Sequence, residues 1–293
     1  MPLPAPHWIA RLASHGYCVI PGALPAATIV ALDADLDPHF EAQPCSVGAF
    51  YGEHTKRFGG LLKRSAHAEA LVRHSLILEI ADAVLGPWCD RIALNLTQAI
   101  EIGPGAPRQF PHRDQDMWGG PKGEMEYLVN VMWPVTPFTR DNGGTLVWPE
   151  SHRLPADIEL PADAAMAPEI EPGDALLFLG STLHGGGANV TAAPRRGIIV
   201  SYSLGWLKPF ELQWLVYPPA VARTFDAELA ALVGYAQHRP NLGNVEGRCP
   251  SRLLYGATDG PAPAIDALRP DQAALLTRWT AEGLGASAAT DPG

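Results

Sequence analysis

The chain has 293 residues, 47% of them hydrophobic and 18% charged, with a net charge of −10. This length and apolar content suit a sizeable buried core, and the lack of any basic run argues against nucleic acid or an anionic membrane surface as a partner. Cys18, Cys45, Cys89 and Cys249 are scattered with no C-x-x-C pair, which sets aside a disulfide scaffold or a structural zinc site and favours a reducing cytoplasm.

Met1 to His7 lack the basic stretch and apolar block of a signal peptide, and no apolar run approaches the roughly 20 residues of a membrane span. Trp8, Ile9 and Leu12 have helical spacing, so a short helix is expected over Trp8 to His15, ended by Gly16. Tyr17 to Ile20 reads as a strand closed by Pro21-Gly22. From Pro25 to about Phe40, Ile29, Leu32 and Leu36 line one helical face. Gln43 to Leu62 has no clear period and reads as an irregular loop over a pocket, with Phe50, Tyr51 and Phe58 as entrance candidates or plain loop anchors. One or two helices are expected over His67 to Leu85, stopped by Gly86-Pro87.

The texture then changes. Arg91 to Ile102 alternates, with Ile92, Leu94, Leu96, Gln98 and Ile100 on one side and Asn95, Thr97 and Glu101 on the other. Further strands are expected over Tyr127 to Val135, Gly144 to Trp148, Ala175 to Leu179 and Gly197 to Leu204. Short strands at this spacing suggest a sandwich or barrel of jelly-roll type, mainly β with flanking helices. Phe210 to Gly234 returns to helical character, Asn241 to Gly256 reads as a loop, and a last helix is expected over Pro270 to Gly283 before a frayed tail, 284–293. Trp206, Trp214 and Tyr217 are expected to pack between the C-terminal helices and the β core. No repeat is visible, so 1–293 reads as a single domain, with 211–283 as a C-terminal helical and loop extension.

The chemistry centres on His112-x-Asp114. In an extended strand, residues two apart point the same way, so an imidazole and a carboxylate would converge. With one distant histidine they would form the 2-His-1-carboxylate triad that leaves open positions on non-haem Fe(II). The candidate is His184, which follows an apolar strand and precedes Gly185-Gly186-Gly187, where the backbone can pass close to a ligand. Arg195 comes 11 residues later, and a guanidinium is a natural bidentate partner for a carboxylate. A lone His-x-Asp pair is usually surface polarity or a satisfied core histidine; the ordered set is far more specific.

With these residues in view, the chain resembles the phytanoyl-CoA dioxygenase family of Fe(II)/2-oxoglutarate oxygenases, in the natural-product branch. The resemblance runs over about 14–210. It is carried by His112-x-Asp114, Asp141-Asn142-Gly143-Gly144-Thr145 running into Pro149-Glu150-Ser151-His152, Pro172-Gly173-Asp174, His184, Arg195 and the opening Gly16-Tyr17-Cys18-Val19-Ile20. It implies a double-stranded β-helix (jelly-roll, cupin-like) core. It implies that His112, Asp114 and His184 bind iron, that Arg195 and Thr145 hold the distal carboxylate of 2-oxoglutarate, and that Gln109 contacts the co-substrate. Oxygen would take the remaining iron position. The chain has no basic cluster for a CoA phosphate handle, and Asp114 rules against the halide-binding variant. Neighbouring strand residues face opposite ways, so only one of Arg195 and Arg196 can enter the pocket; the spacing favours Arg195.

The expected activity is oxidation of a small apolar metabolite, hydroxylation by default, with desaturation or epoxidation open to the same oxidant. A fatty-acyl or amino-acid substrate is the alternative within enzymes. A cupin-like isomerase or sugar-binding module, or a degenerate scaffold, are alternatives outside oxidation; the carboxylate clamp and the intact ligand set speak against both. Met117, Trp118, Tyr51 and Tyr202 are substrate-pocket candidates, although Met117 and Trp118 are as readily packing residues. Asp116 reads as a turn residue before a spare ligand, His152 as a turn residue, and His54, His67, His74 and His238 as surface. A homodimer is the expectation carried by the long C-terminal segment.

Overall fold

Trp8 and Leu12 lie one turn apart and both are buried, so the first segment folds as α1 (Ala5–His15) with that edge inward. Gly16 stops the helix at φ +80°, a left-handed conformation in which its N–H bonds back to the Leu12 carbonyl. A Cβ there would also lie 2.6 Å from the side chains of His152 and Thr182. The computed structural model containing these elements describes residues 3–155, 158, 160–256 and 262–282; the tail 284–293 lies outside them.

β1 (Tyr17–Ile20) alternates in burial as its pattern predicts. α2 (Ala26–Ala42) buries Ile29, Leu32, Leu36 and Phe40. The stretch expected to be wholly irregular contains β2 (Thr55–Gly59), an edge strand on the large sheet. Its sequence hid it because Lys56 and Arg57 sit where alternation asks for apolar residues. α3 (Ala68–Val72) and α4 (Ser75–Leu85) follow.

Five of the remaining strands, β3 (Ile92–Ile102), β4 (Leu128–Pro134), β5 (Thr145–Val147), β6 (Ala175–Leu179) and β8 (Arg195–Leu204), occupy the expected stretches. β7 (His184–Gly186) does not, because two glycines give no alternation to read. The large sheet runs β1-β6-β4-β8-β3-β2 with every neighbouring pair antiparallel; β5 and β7 form a second, two-stranded sheet.

The two faces of the large sheet do different things. Ile198, Val200, Tyr202, Val131 and Leu177 join α1, α2 and α4 in the main core. Leu96, Ile100, Met132, Phe178 and Ile199 form a separate cluster on the opposite face. A buried Leu or Ile contributes ~1.5–3 kcal/mol, so each cluster fixes the register of its strands. β3 departs from the alternation expected of it. A bulge between Leu94 and Leu96 flips the parity, so Leu94 belongs to the main core and Leu96 to the other face.

The C-terminal part holds short helices: α5 (Gln213–Val216), α6 (Pro219–Ala222), α7 (Ala227–Leu232), α8 (Ser251–Tyr255) and α9 (Pro270–Ala281). α8 falls in the stretch read as loop. Tyr217 is buried against β3 through Thr97, as expected. Trp206 and Trp214 remain partly exposed and border a separate cavity of ≈ 390 Å³. Among the described residues, no helix is long and apolar enough to cross a membrane.

Candidate metal centre and its cavity

His112, Asp114 and His184 converge, with one ligand atom of each lying within 4.8 Å of the others. The local cause differs from the regular strand expected. His112 sits on an isolated bridge to His184, its N–H donating to the His184 carbonyl at 2.9 Å and the reverse bond measuring 3.0 Å. Arg113 is extended (φ −114°, ψ 124°), so the side chains on either side of it share a direction. At Asp114 the chain turns into a 3-10 helix, Asp114–Met117. Asp116 is therefore carried outward to face Lys122 at 3.9 Å, outside the cluster.

Each histidine is oriented from behind. His112 Nδ1 donates to the Phe110 carbonyl at 2.9 Å and His184 Nδ1 to the Thr182 carbonyl at 3.0 Å. That leaves both Nε2 atoms turned inward, 3.4 Å and 3.5 Å from the two oxygens of Asp114. Asn130 Nδ2 donates to Asp114 Oδ2 at 3.0 Å. Donors behind a ligand set are what fix imidazole tautomers and carboxylate orientation at metal sites.

The charges follow this packing. Burial pushes the Asp114 carboxyl up, but His184, His112 and the Asn130 amide more than offset it, and the group settles at about 2. Burial pushes His184 down to about 4 against the pull of Asp114. Burial also lowers His112, yet the Asp114 carboxylate and the Phe110 carbonyl outweigh it and leave that ring raised. Asp114 is thus ionised and His184 neutral at pH 7, the protonation states a metal requires.

The cluster opens into a cavity of ≈ 400 Å³ walled by Leu96, Ile100, Ile102, Met132, Phe178 and Ile199. Arg195 enters it at 2% exposure, stacked 4.1 Å over the Phe138 ring and donating to the Gly143 carbonyl through Nε and Nη2. Among the described residues its Nη1 has no partner, and burial, with Arg57 adding, pushes the guanidinium down to about 9. Arg196 faces the other way and pairs with Glu101, Asp33 and Asp37 at 2.8, 3.2 and 2.7 Å. Gly143 holds φ +87° with Ile102 and the Gly187 carbonyl close by, so its carbonyl is held rigidly toward Arg195.

The other sequence candidates divide. Thr145 lines the cavity from β5. Gln109 lines it too, but its amide is committed to backbone, accepting from Gly186 N–H at 3.0 Å and donating to the Phe50 carbonyl at 3.2 Å. Tyr51 and Met117 stand at the mouth with Phe50 and Phe210. Trp118 does not line the cavity; its Nε1 donates to the Lys208 carbonyl and its ring packs on Tyr127. Tyr202 lies on the opposite sheet face, buried, donating to the Val72 carbonyl at 2.7 Å. Phe58 is a core residue against Phe40, and His152 bonds the Ala13 carbonyl beside Gly16.

Two residues escaped the sequence. Arg57 on β2 projects into the cavity, donating to Gln98 Oε1 at 3.2 Å, with its Nε unpartnered among the described residues. Once β2 is paired with β3, Arg57 falls opposite Ile100 and so on the cavity face. Asn130 was concealed inside the apolar run of β4, where a single polar residue carries no periodic signal.

Residues 12–197 match the model of the phytanoyl-CoA dioxygenase (PhyH) family. The dioxygenase FrzG of Cladobotryum sp. is 36% identical over 210 residues, covering 66% of this chain and 68% of the relative. The multifunctional dioxygenase ausE of Penicillium brasilianum is 30% identical over 252 residues, covering 77% and 81% respectively. Among solved structures, the non-haem α-ketoglutarate-dependent epimerase SnoN from nogalamycin biosynthesis superimposes with a TM-score of 0.58 at 19% identity, over 72% of this chain and 88% of that one. At that identity the likeness speaks to the fold.

Proposed function

The chain belongs to the phytanoyl-CoA dioxygenase family and is a dioxygenase, and from that premise we propose that His112, Asp114 and His184 hold Fe(II) while Arg195 binds 2-oxoglutarate. The donor set suits the ion: two imidazole nitrogens and one carboxylate on a shared centre, with the open cavity on the remaining side. Bound Fe(II), 2-oxoglutarate and O₂ would together supply the oxidising power to attack a C–H bond, the co-substrate leaving as succinate and CO₂. What the chain itself supplies is position, charge and dryness.

Arg195 carries the reading. An isolated buried guanidinium is costly, and among the described residues no carboxylate pairs with it. A carboxylate ligand meeting Nη1 would remove that cost. Arg57 is a second cation on the same cavity, and 2-oxoglutarate has two carboxylates. Thr145 adds a hydroxyl from β5. Gln109, whose amide joins β7 to the Phe50 backbone, acts in this reading by holding the mouth rather than by contacting co-substrate. The apolar walls and the exposed rim of Phe50, Met117 and Phe210 favour a small, mostly apolar substrate. The likeness in fold to an enzyme of nogalamycin biosynthesis fits a role in secondary metabolism, with hydroxylation as the default outcome.

The antiparallel strands and the facing β5-β7 pair support a double-stranded β-helix in one domain. Free Cys18, Cys45, Cys89 and Cys249 support a cytoplasmic setting. The test is 2-oxoglutarate affinity in the presence of Co(II) as a redox-silent substitute. Arg195→Ala is expected to weaken binding about 10- to 100-fold, the worth of charge-assisted bonds, and His112→Ala to abolish succinate formation. Unchanged affinity in Arg195→Ala would refute the assignment.

A further inference from the structure

Arg113, the residue between the two clustered side chains of the His-x-Asp motif, has so far only been a spacer. Its extended backbone turns its side chain away from Asp114 and into the protein, where it is buried. There Nε donates to the Ser181 carbonyl at 3.0 Å, and Nη2 to the carbonyls of Ser151 at 3.1 Å and Pro155 at 3.4 Å. Ser181 belongs to the turn that delivers His184, three residues on. The same turn is held by Glu126, whose carboxylate accepts from the Ser181 N–H and hydroxyl at 3.3 and 2.5 Å. Ser151, in turn, accepts from Leu183 N–H through its hydroxyl at 2.9 Å.

We propose that Arg113 is a positioning residue that locks the His184 turn to the His112–Asp114 segment, so that a histidine distant in sequence joins the His-x-Asp pair in one rigid ligand set. The proposal rests on the metal reading above. Its geometry is that of a fork bridging three backbone segments: the motif itself, the turn 180–184 and the turn 148–155. Main-chain bonds join these segments only in series: the His112–His184 bridge and the Gln115 N–H to Gly180 carbonyl bond at 3.1 Å tie the motif to the turn 180–184, and the Trp148 N–H to Leu183 carbonyl bond at 3.0 Å ties that turn to 148–155. Arg113 adds the direct tie from the motif to 148–155. A guanidinium can satisfy three carbonyls from one planar group, whereas an ammonium on a flexible stem cannot hold the same set in fixed directions. His184 is the ligand most dependent on it, because its Nδ1 partner, the Thr182 carbonyl, lies inside the turn that Arg113 and Ser151 hold.

The test titrates the full-length, metal-free protein with Co(II) and records the visible ligand-field spectrum, alongside thermal unfolding without metal. Wild type is expected to bind with a defined spectrum. Arg113→Lys, which keeps the charge, is expected to weaken Co(II) binding about tenfold or more, the range seen when outer partners of ligands are lost, and to alter the spectrum. Ser151→Ala keeps Arg113 and its carbonyl partners and removes the hydroxyl that accepts from Leu183 N–H and donates to the Trp148 carbonyl; it is expected to give a smaller loss in the same direction, and it decides the matter if Arg113→Lys does not fold. Lower unfolding temperatures with unchanged Co(II) affinity and spectrum in the folded variants would overturn the brace while leaving the metal reading intact. Absence of Co(II) binding by wild type would instead sink the metal reading, and the brace with it.

Discussion

On the helix-packed face of the six-stranded sheet, Lys56, Glu101 and Arg196 are all paired. Lys56 reaches Glu101 and the Phe40 carbonyl, and Arg196 reaches Glu101, Asp33 and Asp37. On the cavity face of the same strands, among the described residues, the guanidinium atoms Arg57 Nε and Arg195 Nη1 are buried without partners, whereas the helix-packed face leaves a neutral group, the Trp133 indole nitrogen, in that condition. The difference is one of purpose. A face that only has to fold satisfies its own charges, since an unpaired buried group opposes folding. Two buried cations with orphaned donors on the cavity face suit an anionic ligand that would supply the missing acceptors. Arg195 and Arg196, adjacent in the chain, put this contrast into two consecutive residues.

Those two residues also offer the sharpest way to break it. Arg195→Ala should reduce turnover of co-substrate about a hundredfold, consistent with the loss of charge-assisted bonds, while leaving thermal stability nearly unchanged, because the removed charge had no ionic partner. Arg196→Ala should do the opposite. It takes from Glu101, which is 10% exposed, the closer of its two cations and leaves Lys56 at 3.7 Å, whereas Asp33 and Asp37 are well exposed and count for little. Destabilisation of about 2–3 kcal/mol with normal activity is expected. Succinate assays and chemical denaturation of both variants provide the readout; similar profiles for the pair would mean that the two faces do not differ as described.

The same contrast explains what could be read from the sequence. His112, Asp114, His184 and Arg195 were legible because chemistry-bearing residue types at distinctive spacings survive without any knowledge of packing. The helices and most strands were legible because apolar period reports burial. Arg57 and Asn130 on the cavity face were not. Arg57 interrupts the alternation of β2, so the charge that matters hid the strand that aims it. The bulge at Asn95 reversed the sides of β3, and only the ladder with β8 exposes such a shift. Tyr202, whose polarity left it a candidate for either pocket or solvent, is sent by strand parity to the helices beside Ile198 and Val200.

A smaller effect is expected from pH. Burial holds His184 at about 4 in the metal-free protein, against roughly 6.5 for a free imidazole. Between those values the unfolded chain binds more protons than the folded one, so stability falls as pH falls through that window. His112, raised by Asp114, contributes with the opposite sign: its stabilisation is present below its unfolded pKa and lost as pH rises through its folded one. Comparison with His184→Gln isolates the first term. Wild type in the presence of a chelator should lose on the order of 5 °C more than the variant between pH 7 and pH 4.5. Parallel melting curves for the two proteins would show that the cavity face carries no such strain.

Tyr202→Phe gives the smallest and most discriminating effect on the helix-packed face. The hydroxyl donates to the Val72 carbonyl at 2.7 Å in a fully buried setting, and the ring packs in the main core. Removing the hydroxyl keeps the ring and leaves the carbonyl short of a donor, a cost of about 1 kcal/mol. The same group would be worth something quite different if it reached the cavity, where its loss would change co-substrate affinity or substrate preference and leave folding alone. Denaturation midpoints and 2-oxoglutarate binding measured on one preparation separate the two cases. A modest drop in stability with unaltered binding is the expected result, because between Tyr202 and the His112–Asp114–His184 cluster stands the sheet itself, and the hydroxyl bonds to Val72 on the helix-packed side.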